Sequence, residues 1–347
     1  MKKRVAIVGV GGRTGTMFSF EIGRKNDVLG IARKDTIEFF EKNKLYIDRG
    51  NGPILFKEKV IEDVDFSENN NQDIVFLTNK NPVSVALKYY FQKCGLKKPI
   101  FVLSQNGINA INSAKKTLGE IAKPEDVKVV RMVLFNAIDR KQDCFKYSVP
   151  IKVALSQALG DTGVEEVYSL LKDSGFRVSK FSKKDAQNLE FSKLFLNLIG
   201  MASASRGLSI SDGFQDKEVF IEEIEALKEY IEIVRSAGGK LLSFPGYPIH
   251  LFLLLLSLPT SFLVPFRNKL SDIINKGRGN KPKDLDEIDY YNGAVVNLAH
   301  KVELEKTEKL GGIDYNASEF DIAKGASKKA LINQKIYWRV LEKFKNF

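Results

Sequence analysis

Histidine, cysteine and tryptophan are scarce in this chain of 347 residues, which holds two, two and one of them. Two histidines, His250 and His300, cannot build a histidine-rich metal centre, and neither a C-x-x-C nor an H-x-x-x-H spacing occurs. No metal is expected. Two cysteines, Cys94 and Cys144, exclude a disulfide framework and read as packed or surface thiols. A signal peptide is not expected either, because MKKRVAIVGV runs straight into a glycine loop with no small-residue cleavage site. The expected location is cytoplasmic. Long apolar runs are also few. The one that stands out is FPGYPIHLFLLLLSLPTSFLVPF, over 244–266, and its four prolines argue against a membrane span. It reads as a short buried helix, a break at Pro259 and the start of another helix. Trp338, in the last helix, reads as packing.

Charge is abundant but not concentrated. The formal net charge is +11, yet the lysines are spread along the chain, without a basic arm or block. A solvated basic surface explains this, and nucleic acid is not expected as a partner. The same field favours ligands that carry phosphates and a carboxylate.

The length suits two domains with their own cores. In the first half, apolar strands alternate with helical patterns: KRVAIVGV, VLGIAR, QDIVFLTN, KPIFVLSQ and VKVVRMVLF are the strands. KYSVPIKVAL and VEEVYSLLKDSGFRVSKFS extend this half. Such alternation implies parallel strands with right-handed crossovers, a doubly wound α/β sheet of Rossmann type. From about Asp185 the pattern becomes helical throughout. The expected organisation is a dinucleotide-binding domain over 1–184 and an all-α domain over 185–347. The run KGRGNKPKDLDE (276–287) reads as an exposed loop.

The first strand ends in GVGGRTGT (9–16), and a helix follows. In that context the backbone amides of a glycine-rich turn and the helix N-terminus cradle a pyrophosphate. Two registers compete. G-x-G-x-x-G finds Gly9 and Gly11 but Thr14 in the third place; G-x-x-G-x-x-G finds Gly9, Gly12 and Gly15. We adopt the first, with Thr14 as the small residue at the helix–strand contact and Gly15 lengthening the loop. Gly12 and Arg13 complete the cradle, Arg13 as a second phosphate contact. An NAD site places an acid roughly 20 residues on, at the end of the second strand. Here VLGIARKD offers Arg33 and Lys34 before the first acid, Asp35. A guanidinium fork grips a 2′-phosphate, so the expected cofactor is NADP(H). Surface cations are the plainer alternative for this pair.

In the helical half, FSKLFLNLIG puts Lys193 and Asn197 four residues apart, on one helix face beside core-like positions. DEIDYYNGAVV puts Glu287 and Tyr291 on one face. Reduction of a carbonyl needs a hydride and a proton donor for the developing alkoxide; a lysine can stabilise that charge and give the proton. A carboxylate can tune the lysine and hold a substrate hydroxyl. Read alone, Lys193 is equally a snorkelling surface lysine, Glu287 a member of a solvated acidic run, and Asn106–Gly107 a simple turn. Asp286 or Asp289 could take the place of Glu287.

The order of LTNKNPVS, LSQNGI, FSKLFLN and EIDYYNG behind a glycine-rich N-terminus resembles the ketopantoate reductase (2-dehydropantoate 2-reductase) family over nearly the whole chain. The resemblance implies NADPH-dependent reduction of 2-dehydropantoate to pantoate, on the route to pantothenate and coenzyme A, by a homodimer. It further implies Lys193 as general acid, Asn197 orienting substrate, and Glu287 near the substrate hydroxyl and the lysine. Lys80 would lie by the cofactor, Asn106 and Gly107 would line nicotinamide and substrate, and Arg33 would read the 2′-phosphate. Three departures concern the substrate. Asn268 stands where the family often has a serine for the substrate carboxylate, Met201 where many members have a second asparagine, and extra residues precede Glu287. The tail YNAS (315–318) is also set further from Asn292–Gly293 than usual. Two other readings remain open: a reductase of another branched 2-oxo acid, and a non-catalytic NADP-binding sensor of atypical short-chain dehydrogenase type. The second would continue the parallel sheet into the C-terminal half.

Overall fold

The structure, a computed structural model, describes residues 2–69, 71–95, 98–278, 282–307 and 329–345. The chain forms two compact units, Met1–Leu189 and Glu190–Phe347.

The first unit is α/β. Its strands are β1 (Arg4–Val8), β2 (Asp27–Ala32), β3 (Tyr46–Asp48), β4 (Pro53–Leu55), β5 (Lys59–Glu62) and β6 (Ile74–Leu77). They continue with β7 (Ile100–Leu103), β8 (Val129–Leu134), β9 (Ile138–Lys141), β10 (Cys144–Tyr147), β11 (Lys152–Leu159) and β12 (Arg177–Phe181). Its helices are α1 (Arg13–Gly23), α2 (Lys34–Lys42), α3 (Val83–Lys93), α4 (Ala110–Ile121) and α5 (Val164–Asp173). Eight strands form one sheet in the order β12-β11-β8-β7-β6-β1-β2-β5. The six from β5 to β8 are parallel and follow the dinucleotide-binding order, which reverses at β1 beside β6.

Continuous apolar runs make these strands because both faces of the sheet are covered. Along β1, Val5 and Ile7 enter one core with Met17, Phe18 and Phe176, while Ala6 and Val8 enter the other with Leu87, Phe91 and Leu118. The period of two along a strand divides one run between two cores.

The purely parallel expectation fails at β11, which runs antiparallel to β8. A parallel return needs a crossover, usually helical. The link from β8 to β11 holds no helix; it forms β9 and β10, which join β3 and β4 in a second, four-stranded sheet. Phe145 and Ile47 of that sheet are fully buried and close the core over α1.

The second unit is helical. It comprises α6 (Ala186–Leu198), which begins in the first unit, α7 (Met201–Ser205), α8 (Ile210–Gln215), α9 (Lys217–Ser236), α10 (Ile249–Leu256) and α11 (Thr260–Leu263). It ends with α12 (Arg267–Arg278), α13 (Asn292–Thr307) and α14 (Leu331–Lys345). No strand forms here among the described residues, so the chain does not continue the sheet as an atypical short-chain fold would. The 20-residue α9 is the hub, packed by α7, α8, α13 and α14. Asp216 caps its first turn, accepting from the amides of Glu218 and Val219 at 2.8 and 3.0 Å.

Two expectations about apolar residues need correction. The 244–266 run does break at Pro259, which precedes α11, but α10 is not buried: only Ile249 and Leu256 of its eight residues are. An eight-residue helix with one packed stripe leaves the rest of its leucines in solvent. Trp338 is likewise 41% exposed, because α14 turns Ile336 and Val340 inward instead. No single described helix is long and apolar enough to cross a membrane; α10 and the helix after it meet at 114°.

Candidate active site

Register brings the first group of site residues together. Val8 pairs with Ile31 and with Leu77, and Leu77 pairs with Leu103, so four strands end in one row. The residues just past that row are Gly9, Arg33, Thr78 to Lys80, and Asn106–Gly107. They lie at the carboxyl edge, where doubly wound sheets bind ligands.

The glycine loop has no room for side chains. Gly9 and Gly11 hold φ of +93° and +101°, in the left-handed region that favours glycine. A Cβ on Gly9 would meet Thr78 Oγ1 at 2.9 Å and the Asn79 amide nitrogen at 3.0 Å; one on Gly11 would meet Thr36 Cγ2 at 2.3 Å. The Gly11 amide donates to Thr16 Oγ1 at 3.0 Å, and the Gly12 amide to the Gly9 carbonyl at 3.1 Å. Gly12 is the residue before α1 and supplies no side-chain cap, so the first-turn amides of Arg13, Thr14 and Gly15 point out of an uncapped helix end. Exposed Arg13 adds a cation there. A pyrophosphate fits this cradle: bare backbone, free amides and the positive end of the helix.

The third glycine role falls on Gly15, not Thr14. A Cβ on Gly15 would meet the Gly9 carbonyl oxygen at 2.4 Å and Thr78 Oγ1 at 2.6 Å. Thr14 is half-exposed and leaves the helix–strand contact to its neighbour. The loop is one residue longer than the G-x-G-x-x-G register allows, which moves the contact to the next helical position.

Around the cradle the other strand ends are tied down. Thr78 Oγ1 donates to the Val8 carbonyl at 2.6 Å. The Asn81 side chain donates to the Asn106 carbonyl at 2.8 Å, and buried Gln105 donates to the Leu77 carbonyl at 3.0 Å. Arg131 is fully buried on β8 and donates to the carbonyls of Leu103, Met132 and Gln105 at 2.9, 2.6 and 2.6 Å. These bonds fix the loops carrying Lys80, which is exposed, and half-buried Asn106. Gly107 is buried with φ of +98°. Arg33 precedes α2, exposed, with its guanidinium 3.3 Å from the Asp35 carboxylate; exposed Lys34 opens the helix. Asp35 also accepts from the Thr36 amide at 2.7 Å. The acid of this turn thus holds the cation rather than replacing it.

In the second unit, Lys193 and Asn197 share a face of α6. They are half-buried, and every other residue from Leu189 to Gly200 is buried. That pattern marks one polar line on an otherwise enclosed helix end. Lys283 donates to the Asn197 carbonyl, which fastens the segment leading to Glu287 against this line. Glu287 starts a 3-10 turn over Ile288–Tyr290 rather than a helix, yet Tyr291 still reaches back and donates to its carboxylate at 2.9 Å. Asp289 accepts from Tyr337 at 2.6 Å, which gives it a packing role, while Asp286 is exposed. Asn268 lies exposed on α12, whose buried Ser271 packs on Ser211 at 2.9 Å. Among the described residues no hydrogen bond links Asn268 to the α6 line. Met201 is buried at the start of α7. The tail 315–318 lies outside the described residues.

Spacing did not reveal Thr78, Gln105, Arg131, Lys283 or Glu223. Glu223 is buried on α9 and accepts from the amides of Gly200 and Ala202 at 2.5 and 3.0 Å, where α6 breaks at left-handed Gly200. Burial pushes its carboxyl up to about 7, against those amides and the Lys283 ammonium, which pull it down. Buried Cys94, by contrast, is pushed up to about 12 and is an inert packed thiol.

The two units are thus a doubly wound sheet of dinucleotide-binding order and an all-α unit with a polar lysine line. Residues 5–152 match the family described as Ketopantoate reductase PanE/ApbA. The fold recurs in solved structures at low identity. A PanE/ApbA family ketopantoate reductase from Ralstonia eutropha JMP134 superposes with a TM-score of 0.67 at 15% identity, covering 100% of both chains. D-mandelate dehydrogenase with NADH and anilino(oxo)acetate gives 0.67 at 12%, covering 99% of both. Dimeric ketopantoate reductase from Staphylococcus aureus gives 0.61 at 14%, again covering 99% of both. No curated protein sequence matches the chain.

Proposed function

We propose that the protein reduces a branched 2-oxo acid, 2-dehydropantoate, to the 2-hydroxy acid pantoate with NADPH, as a step toward pantothenate and coenzyme A. The observation that carries this reading is the Lys193–Asn197 line, the half-buried polar pair on an otherwise enclosed helix end. NADPH, when bound, supplies the hydride that the C2 carbonyl carbon receives. Gly9, Gly11 and Gly12 would leave bare backbone for its pyrophosphate, the first-turn amides of Arg13 and Thr14 would bond it, and Arg33 with Lys34 would meet its 2′-phosphate. Lys80, Asn106 and Gly107 line the nicotinamide end.

The C=O bond pair moves onto oxygen as the carbon gains hydride. The Lys193 ammonium stabilises that growing negative charge and gives the oxygen its proton. Asn197 hydrogen-bonds the carboxylate end of the substrate, and Glu287, oriented by Tyr291, accepts from the substrate hydroxyl. Asn268 is a candidate for the same carboxylate if substrate reaches the exposed face of α12.

A screen of NADPH oxidation tests the reading, using 2-dehydropantoate, 2-oxoisovalerate and the 2-oxo acid of mandelate. Turnover is expected with the first, and Lys193→Ala should lower kcat about 1,000-fold, within the usual range for general acid catalysis, while NADPH still binds. No turnover with any of the three would leave a cofactor-binding sensor as the better account; full turnover in Lys193→Ala would remove the assigned acid.

A further inference from the structure

Lys283 belongs to a segment the sequence marks only as polar loop, yet its side chain turns inward. In the stretch from Pro282 to Glu287 the residues alternate between exposed and half-buried, with Lys283, Leu285 and Glu287 on the inner side. The Lys283 ammonium donates to the Asn197 carbonyl, at the last turn of α6. It also acts on the charge of Glu223, which is fully enclosed on α9. Glu223 in turn collects the amides of Gly200, Ala202 and Ser203, at 2.5, 3.0 and 3.4 Å, from the break between α6 and α7.

The chain of contacts therefore runs from the hub helix α9, through the break after α6, to the segment that ends in Glu287. The helix C-terminus favours a cation at this point, since the last carbonyls lack intrahelical partners. A buried carboxylate nearby favours the same cation. Four residues beyond Lys283, Glu287 begins its turn with Tyr291 bonded to its carboxylate. Two further hydrogen bonds of that stretch are local: the Asp286 amide donates to Asp284 at 3.1 Å, and the Ile288 amide to the Leu285 carbonyl at 3.0 Å.

We propose that Lys283 is a positioning residue, a clasp that pins the segment carrying Glu287 to the end of α6 and so sets Glu287 against the Lys193–Asn197 line. Its kinetic side rests on the reductase reading above; its structural side does not. Lys283→Met keeps the aliphatic stem and removes the charge and the donor, whereas Lys283→Arg keeps both.

Hydrogen exchange on the full ligand-free chain tests the structural side. Amides of 284–291 should exchange at least tenfold faster in Lys283→Met, with α9 unchanged, and should return toward wild-type rates in Lys283→Arg. Unchanged exchange in Lys283→Met overturns the proposal whatever the enzyme does. Steady-state kinetics test the rest. Lys283→Met should raise KM for the 2-oxo acid at least tenfold, with NADPH affinity held and kcat changed less than KM; Lys283→Arg should recover most of the loss. Equal KM in Lys283→Met and wild type would also overturn it. A wild type that turns over no 2-oxo acid defeats the reductase reading alone and leaves the exchange result to decide on the clasp.

Discussion

Arg33 shows what one side chain contributes. It stands at the end of β2, next to the cradle, and is 80% exposed. Its bond to Asp35 is a surface ion pair and stabilises the fold little. In the proposed reading its value would lie in what it offers a ligand: two parallel donors matched to a phosphate. Arg33→Ala should weaken NADPH binding about 30-fold, about 2 kcal/mol on the affinity scale, and NADH binding hardly at all. Titration of cofactor fluorescence with both dinucleotides checks this, and an equal loss for both would refute the 2′-phosphate role. Asp35→Asn gives the opposite test, because freeing Arg33 should tighten NADPH and leave NADH weaker or unchanged.

At the scale of elements, the contact between α1 and β1 depends on one hydrogen atom. Gly15→Ala places a methyl 2.4 Å from the Gly9 carbonyl oxygen and 2.7 Å from its carbon, both backbone atoms that cannot step aside cheaply. Overpacking of this kind costs about 1–3 kcal/mol. The variant should melt several degrees lower and lose most NADPH affinity, while Thr14→Ala should change neither by much. Differential scanning calorimetry and cofactor titration distinguish the two; equal effects would return the packing role to Thr14. A second prediction concerns Glu223. Its folded carboxyl titrates at about 7, above the ordinary value of about 4.3. The folded state therefore binds more protons than the unfolded one between those values, and this group's contribution declines as pH rises from about 4.5 to 7. The span is on the order of 3 kcal/mol. Glu223→Gln removes the titration, so its stability relative to wild type should climb by up to that amount between pH 5 and pH 8. Urea unfolding across that range measures it, and parallel profiles would show that Glu223 does not titrate there.

The same elements show what a sequence displays and what it hides. β1, β6 and β7 were legible because fully buried parallel strands are continuous apolar runs flanked by turn residues. β3, β4, β9 and β10 are three or four residues long, too short for alternation to show, so the second sheet and the antiparallel β11 were not foreseen. Lys193 and Asn197 were legible because a four-residue spacing maps onto a helix face. Gly15 was visible in the alternative glycine register, but only the approach of Gly9 and Thr78 shows why a glycine is needed. Lys283 and Glu223 meet α6 from 86 and 23 residues away, and no local pattern encodes such an encounter.

For the whole molecule, the question is what covers the apolar side of the second unit. Leu251, Leu254, Leu258, Phe262 and Phe266 are 54, 70, 45, 66 and 59% exposed, and they recur every three or four residues from α10 to the turn that follows α11. Exposed apolar side chains that run together mark interaction surfaces. A net charge of +11 opposes self-association, but no Asp, Glu, Lys or Arg occurs from 244 to 266, so little repulsion is focused there. The homodimer expected from the sequence would cover this side with a second copy of the chain. Two copies related by a two-fold axis would bury the same residues on each. Wild-type protein should then sediment as a dimer, more firmly as salt screens the charge. Leu254→Glu with Phe262→Glu, both solvent-facing and free of packing duties inside the unit, should give a folded monomer with unchanged NADPH affinity. A wild-type monomer at micromolar concentration and moderate salt would defeat the dimer. Binding of that monomer, but not of the double variant, to anionic vesicles would assign the apolar side to a lipid surface instead.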